Sequence, residues 1–297
     1  MIPSLNRRMF LARGALALPL LAALPALERC RSSQDRAGED DEEIFQRAVR
    51  SVRAGVGPST TPGEVVAAVG RQFLGAPYVA HLLEEPADER LVVNLRQFDC
   101  LLLVESSLAI ARTLLLGSSS YDVFRAQLMF IRYRGGVIRE YPSRLHYFTD
   151  WVADNVHKGV LEDVTRALGG GRRTTPIRFM STHTESYRQL SNPGYLEEIR
   201  SAEERLSSME RYVLPVRLLE EVSERLRSGD VIGTVSSVEG LDIAHSGLLT
   251  ADGGMLRFLH APLSQGKVEV APGSFIDYLE RHSVSDIVVA RPLAVHP

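Results

Sequence analysis

The sequence predicts an α+β fold, because its helical and strand-like patterns occupy different parts of the chain. Helical patterns predominate up to Arg227, whereas short β-branched runs separated by turns begin at Gly229-Asp230. Helices first and strands later are typical of α+β architecture. The 297 residues, 44% of them hydrophobic and 24% charged, are sufficient for one elaborated domain.

The overall charge argues against one class of partner. The formal net charge is -3, so the chain has no basic field of the kind that attracts a polyanion. Nucleic acid is therefore not an expected partner.

The first 27 residues have the layout of an export signal. Arg7 and Arg8 precede an apolar stretch at 15–27, and the first acidic residue is Glu28. Paired arginines in this position are typical of the twin-arginine route, and a Sec-type leader is the alternative. The stretch is shorter than the roughly 20 residues that a membrane span needs. We expect a removed leader, no stable membrane span, and a mature protein in the periplasm.

A polar tether is predicted at 28–43, followed by a single domain at 44–297. Residues 31–43 are polar and rich in charge, with little to bury. Glu28 and Arg29 fit poorly before a lipidated cysteine, so lipidation of Cys30 is not expected. Cys100 is then the domain's one cysteine and has no partner for an internal disulfide.

The elements are predicted in the following order. Helices are expected at 44–56 and 60–73, the second opened by a threonine cap and Pro62. A short strand at 91–95 leads to a helix at 101–116, which is apolar almost all round and therefore buried. Asp99 can cap that helix. A largely helical insertion is expected at about 121–228, and strands are expected at 231–235, 245–250, 255–260, 267–270 and 287–290.

Cys100 stands at the start of the predicted buried helix. Unpaired backbone N–H groups and the positive end of the helix dipole favour a thiolate there. The position suits a nucleophile, and the alternative is a small buried hydrophobic residue.

Two histidines are predicted to meet on a hairpin. If residues 251–254 form the loop, Thr250 pairs with Met255 and His245 lies opposite His260. Directly opposed residues have Cβ atoms about 5 Å apart, so one imidazole can orient the other as a base. A register slip of one residue would move one histidine to the other face.

Other interpretations of the histidines remain open at this point. They can form a structural pair that is satisfied by hydrogen bonds. A zinc site completed by His183 or another histidine is a further alternative, although no His-Glu-x-x-His run supports it.

Several motifs resemble a known superfamily, the NlpC-type papain-like peptidoglycan peptidases. They are Gly75-Ala76-Pro77-Tyr78, Phe98-Asp99-Cys100, Gly229-Asp230, Asp242-Ile243-Ala244-His245-Ser246-Gly247 and Leu259-His260-Ala261. Three more resemble the N-acetylmuramoyl-L-alanine amidase-like branch: Val92-Val93-Asn94-Leu95-Arg96, Ser143-Arg144-Leu145-His146-Tyr147 and Phe179-Met180-Ser181-Thr182-His183. The resemblance runs over about 44–292.

The resemblance implies a fold and a cysteine mechanism. The fold is papain-like, with an antiparallel β core and a packed nucleophile helix. Cys100 attacks an amide carbonyl, His245 is the base, and His260 orients His245. Tyr78 lines the site, and backbone N–H groups near Cys100, with Tyr78, are expected to hold the oxyanion. No metal and no organic cofactor are expected.

The resemblance also implies a substrate and the residues that bind it. The expected reaction cleaves the amide between N-acetylmuramic acid and L-alanine in peptidoglycan or its muropeptides. The alternatives are cleavage between D-glutamate and the diamino acid, or a non-catalytic wall-binding module. The expected substrate-binding residues are polar: Arg144, His146, Tyr147, Ser181, Thr182 and His183. Composition alone favours the interpretation that they are surface or capping residues. Leu101-Leu102-Leu103 replaces the small polar residues usual after the cysteine, which implies a drier or narrower pocket.

Overall fold

The computed structural model describes residues 39–295. The predicted export signal and most of the predicted tether lie outside this part of the chain. The predicted boundary at residue 44 is wrong, because the first helix begins at Asp41. The Asp40 side chain accepts a hydrogen bond from the Glu43 N–H, and Glu43 accepts one from the Asp40 N–H. Acidic residues that looked like solvated tether thus form a capped first turn.

The helices are numbered in chain order, and short 3-10 turns link several of them. Their bounds are Asp41–Arg53 (α1), Pro62–Arg71 (α2), Cys100–Leu115 (α3), Tyr121–Arg132 (α4), Phe148–His157 (α5), Phe179–Thr182 (α6), Pro193–Ser208 (α7), Leu219–Val222 (α8) and Phe275–Arg281 (α9). Within residues 39–295, no helix is long and apolar enough to cross a membrane.

The strands form one antiparallel sheet. Their bounds are Leu161–Asp163 (β1), Gly171–Arg173 (β2), Arg211–Pro215 (β3), Val231–Val235 (β4), Ile243–Asp252 (β5), Met255–His260 (β6), Glu269–Val270 (β7) and Asp286–Pro292 (β8). The strand order is β2-β3-β8-β4-β5-β6-β7, and β1 also pairs with β8. The mixed composition and the antiparallel pairing agree with the predicted α+β class.

The segment predicted as a helical insertion also extends the sheet. Strands β1, β2 and β3 lie between residues 121 and 228, and both β1 and β3 pair with β8. These strands have three to five residues and are too short to show a clear alternation of apolar and polar side chains. The insertion predicted as largely helical therefore also contains three strands, which the sequence analysis did not predict.

The predicted strand at 91–95 is also wrong, because that segment is irregular. Side chains, not a neighbouring strand, bind its backbone. The Leu95 N–H donates to the Asp41 carboxylate, and the Arg132 guanidinium donates to the Val92 carbonyl. The apolar side chains in this segment meet the core without any sheet pairing.

Helix α3 lies in the centre of the main hydrophobic core. Its buried residues cover all sides of the helix, as the apolar sequence predicts, and it packs against α2, α4 and β5. Leu103 and Ile110 are fully buried. This packing fixes the N-terminus of α3, and with it Cys100, beside strand β5.

Candidate active site

Cys100 is the first residue of helix α3. The Asp99 side chain caps the helix, and its Oδ1 accepts a hydrogen bond from the Leu102 N–H at 2.8 Å. The cysteine is partly exposed and is not in a disulfide. The helix start predicted from the sequence is confirmed.

The sulfur of Cys100 lies against strand β5. The backbone and the side chain of Ser246 both form hydrogen bonds to it, which favour the thiolate. Burial and the neighbouring Asp99 carboxylate outweigh these bonds and raise the pKa of the Cys100 thiol to about 11. The resting group is therefore a neutral thiol, placed next to the residue that follows His245.

His245 and His260 are joined by a hydrogen bond. Nε2 of His245 lies 2.8 Å from Nδ1 of His260, and the two rings are nearly perpendicular at 73°. This contact uses one nitrogen of each ring. The ring nitrogen of His245 that takes no part in this contact is Nδ1.

The hairpin that carries the histidines has a different register from the predicted one. Asp252 pairs with Met255, so the turn contains only Gly253 and Gly254, which have φ of 59° and 81°. Positive φ at both central residues is typical of a two-residue hairpin turn. Gly247, not His245, therefore lies opposite His260. The predicted four-residue loop and the direct pairing are wrong.

The histidines meet in spite of this shift because it equals two residues. Side chains alternate between faces with a period of two, so His245 stays on the face that carries His260. The two residues are diagonal neighbours, which long side chains can bridge.

Both imidazoles are neutral. Burial, with a smaller contribution from His282, lowers the pKa of His245 to about 4. Burial and the neighbouring His245 and His282 lower the pKa of His260 to about 3. A neutral His245 can accept a proton at neutral pH.

Two tyrosines flank the cysteine. The backbone of Tyr78 forms a bridge with Phe98, two residues before Cys100. Burial, followed by the negative charges of a Cys100 thiolate and of Asp99, raises the pKa of Tyr78. Burial, a Cys100 thiolate and Glu269 raise the pKa of Tyr278 to about 12. Both hydroxyls remain protonated at neutral pH and can donate hydrogen bonds.

A cavity of about 200 Å³ opens beside the start of α3. Asp99 and Leu101, the two neighbours of Cys100, line it. Three of the predicted substrate-binding residues also line it: Arg144, His146 and Tyr147. Each of these residues is held in the cavity wall by a hydrogen bond or an ion pair to a neighbouring residue.

Arg144 is held by carboxylates of the cavity wall. Its side chain is 7% exposed, with Nη2 2.6 Å from Glu84 Oε1 and Nε 3.2 Å from Glu89 Oε1. Nε2 of His146 lies 2.9 Å from the Tyr141 carbonyl, and burial lowers the pKa of His146 far below its usual value. At these two positions the cavity wall therefore has a paired guanidinium and a neutral imidazole.

The other three predicted substrate-binding residues lie elsewhere. Ser181 lines a separate open groove and donates its N–H to Glu203. Thr182 donates its hydroxyl to the Arg178 carbonyl, and His183 stacks on Phe179. Of residues 179–183, only Met180 lines the cavity. The Met180 N–H donates to the Tyr147 hydroxyl. The segment thus supports the cavity wall through Tyr147.

Sequence reasoning did not single out three residues that lie at this site. Ser246 contacts the thiol, Tyr278 lies near it, and Glu269 lies 3.8 Å from the His260 ring. Ser246 follows His245 directly, so its place in the same sequence motif was the available signal. Tyr278 and Glu269 come from later elements and carry no local signal.

Between residues 39 and 295, no group of three or more His, Cys, Asp or Glu side chains is arranged to hold a metal ion. His183 lies against Phe179 and does not join the histidine pair.

Residues 68–285 match the family model described as AmiA-like, N-acetylmuramoyl-L-alanine amidase-like. The chain belongs to this family of amidase-like peptidoglycan hydrolases. No curated protein matches it.

Three solved structures of other proteins are similar to this chain. An N-acetylmuramoyl-L-alanine amidase from Bacteroides uniformis is 34% identical, with a TM-score of 0.74 over 78% of this chain and 99% of its own. A Bacteroides fragilis protein described as a candidate xylanase is 35% identical, with a TM-score of 0.69 over 75% of this chain and 98% of its own. A Legionella pneumophila protein shares the fold at 21% identity, with a TM-score of 0.64 over 86% of this chain and 97% of its own.

Proposed function

We propose that this protein is a cysteine amidase that cleaves the bond between N-acetylmuramic acid and L-alanine in muropeptides. The observation that carries the proposal is the position of the Cys100 sulfur. It accepts hydrogen bonds from Ser246 of β5, the strand that also carries His245, and Nε2 of His245 is bound to His260. A thiol, a base and an orienting group are the parts that nucleophilic acyl transfer requires.

The chemistry follows from the neutral state of the pair. As Cys100 Sγ bonds to the lactyl carbonyl carbon, Nδ1 of His245 takes the thiol proton. The same proton then moves to the alanine nitrogen as the C–N bond breaks, which leaves a thioester on Cys100. Water hydrolyses the thioester, with His245 again as base. The backbone N–H groups at the start of α3 and the Tyr78 hydroxyl stabilise the oxyanion.

The same arrangement supports a papain-like assignment within the α+β class. A cysteine begins a central helix, a histidine lies on an adjacent strand, and a third polar residue lies on the next strand. In this proposal, the cavity lined by Arg144, His146 and Tyr147 holds the part of the muropeptide next to the scissile bond. The paired arginines near the N-terminus support export to the periplasm, where peptidoglycan is found.

The test is mass spectrometry of defined muropeptides incubated with the full chain. The wild type is expected to release an intact stem peptide that begins with L-alanine, with or without a chelator. Cys100→Ala is expected to bind muropeptide and release nothing. Cys30→Ser is the matched control, because it removes the other cysteine and is expected to leave turnover unchanged.

Three results would contradict parts of the proposal. Cleavage after D-glutamate would identify a stem-peptide endopeptidase with the same nucleophile. Activity that survives Cys100→Ala and is lost with chelator would exclude the cysteine mechanism. Binding without turnover by the wild type would indicate a wall-binding module.

A further inference from the structure

One nitrogen of the histidine pair lacks a hydrogen bond. His260 is 2% exposed, and its Nδ1 is bound to His245. Its Nε2 is buried and has no hydrogen-bond partner among the described residues. A buried polar atom without a hydrogen bond is unusual in a folded protein.

Glu269 faces this nitrogen from the neighbouring strand. It lies directly opposite His260 in the β6–β7 pairing, and its Oε1 is 3.8 Å from Nε2. Its side chain is 24% exposed, so water screens it only in part. The distance is too long for a hydrogen bond in the resting state, but it is short for an interaction between a carboxylate and a polar N–H.

The other groups around His260 do not replace this carboxylate. His245 binds the opposite ring nitrogen, and the rings of Phe258 and Tyr278 pack at 4.8 and 4.9 Å. His282 stacks on the far side of Tyr278, and Cys100 lies near the Tyr278 hydroxyl. Among these neighbours, Glu269 is the one carboxylic acid.

We propose that Glu269 is a positioning residue that keeps the His260 proton on Nε2. Nδ1 of His260 is then an acceptor, and Nε2–H of His245 donates to it. The lone pair of His245 therefore lies on Nδ1, where it can take the thiol proton. The opposite tautomers would put a proton on Nδ1 of His245 and block the base.

This inference rests on the proposed cysteine mechanism and adds a fourth group to it. When the thiol proton moves to Nδ1 of His245, the positive charge spreads toward His260 and is balanced by the Glu269 carboxylate. The chain of interactions runs from Cys100 through His245 and His260 to Glu269.

The test combines NMR with kinetics on the full chain. In protein labelled with ¹⁵N-histidine and assigned with His260→Gln, we expect the wild type to be protonated at Nε2 of His260. Glu269→Gln retains an acceptor but no charge, so the tautomer is expected to persist while kcat falls about tenfold, the effect of one pKa unit. Glu269→Leu removes both, so Nδ1–H forms of His260 and His245 are expected to appear and kcat to fall further. KM is expected to stay unchanged in both variants.

The pH profile separates positioning from folding. Without the carboxylate, the imidazolium of His245 is less stable, so the acid limb of kcat/KM is expected to move to lower pH. Glu162→Leu is the matched control, because Glu162 is also a strand residue but lies on β1, away from β6 and β7. We expect it to change neither tautomer nor profile.

Two outcomes would overturn the role of Glu269. One is a wild-type His260 that is protonated at Nδ1. The other is a Glu269→Leu variant with unchanged tautomers, even if its thermal stability is lower. The NMR readout needs no substrate, so it judges Glu269 even if the wild type fails to cleave muropeptides, a result that would count against the proposed function instead.

Discussion

His245 and His260 are hydrogen-bonded at 2.8 Å although they do not face each other in the sheet. Gly247 occupies the position opposite His260, and the bond crosses the hairpin diagonally. The geometry of the proposed base therefore depends on the space that Gly247 leaves and on the ring of His260. Substitution of Gly247 or of His260 is therefore expected to disturb this base.

We expect loss of His260 to reduce turnover and not substrate binding. In His260→Leu, His245 loses the partner that selects its free nitrogen, and kcat is expected to fall about 100-fold, within the range for general base catalysis. His260→Gln retains an acceptor and is expected to keep more activity. Steady-state kcat and KM on a muropeptide check this, with the exposed His157→Leu as control. Equal kcat in the leucine variant and the wild type would contradict the orienting role.

Gly247→Ala is expected to harm both stability and activity. A Cβ there would lie 2.7 Å from the Leu259 carbonyl oxygen and from the Phe258 ring, so β6 must move away from β5. Overpacking of this kind costs about 1–3 kcal/mol, and the shift would stretch the histidine bond.

The control for this substitution lies in the turn of the same hairpin. Gly253 has a positive φ but open space around it, so Gly253→Ala is expected to cost about 1 kcal/mol through backbone strain alone. Denaturant unfolding and kcat are measured for both variants. A Gly253→Ala variant that loses as much kcat as Gly247→Ala would show that general destabilisation explains the loss.

The sequence was sufficient to predict the helix that starts at Cys100, because its features are local. An acid cap precedes the cysteine and an unbroken apolar run follows it. The contact between the histidines was predicted from an incorrect register. It survived because the error of two residues preserves the face of the strand, whereas an error of one would have separated them.

Other parts of the site could not be predicted from local patterns. Glu269 and Tyr278 reach the histidines through β7 and α9, elements that are far apart in sequence from β5. Ser181, Thr182 and His183 carry polar groups that look like ligands, yet their hydrogen bonds go to their own helix and to Glu203. These hydrogen-bond partners can be identified only from the folded structure.

Asp99→Asn is expected to make Cys100 more reactive. Asparagine caps a helix as well as aspartate does, so α3 should be preserved while the charge that raises the thiol pKa is removed. With a thiol pKa of about 11, alkylation of wild-type Cys100 by iodoacetamide should rise about tenfold per pH unit between pH 7 and 10. Asp99→Asn should react several-fold faster at pH 8.

Peptide mass spectrometry follows this alkylation at Cys100 separately from Cys30. Asp40→Asn is the matched control, because Asp40 caps α1 in the same way and does not contribute to the raised thiol pKa. If Asp99→Asn reacts no faster than the wild type, the charge of Asp99 does not control the thiol.

Arg144→Leu is expected to destabilise the wall of the cavity. The substitution would leave Glu84 and Glu89 without the guanidinium that pairs with both, and breaking a buried ion pair typically costs about 3–5 kcal/mol. Arg188 donates to carbonyls of the same loop from an exposed position, so Arg188→Leu is expected to cost no more than about 1 kcal/mol. Urea unfolding compares the two, and similar losses would show that the buried pair has no special role.

The buried histidines are expected to make the protein less stable in mild acid. The pKa values of His245 and His260 are lowered in the folded state to about 4 and about 3, from an ordinary value of 6.5. The unfolded chain therefore binds more protons below pH 6.5. The stability that the neutral histidines provide is complete above that pH and is lost as the pH falls toward 4 and 3. Between pH 7 and 5 the loss should be roughly 2 kcal/mol for each histidine.

A variant comparison isolates this effect from other titrations. Asp99 and Asp242 have raised pKa values, so protonation of these acids acts in the opposite direction. The double variant His245→Gln/His260→Gln keeps both acids, and its free energy of unfolding should change less between pH 7 and 5 than that of the wild type. Urea unfolding at the two pH values measures the difference. Equal losses of unfolding free energy in the two proteins would mean that the histidines are already protonated in the folded state. The base would then be unavailable at neutral pH.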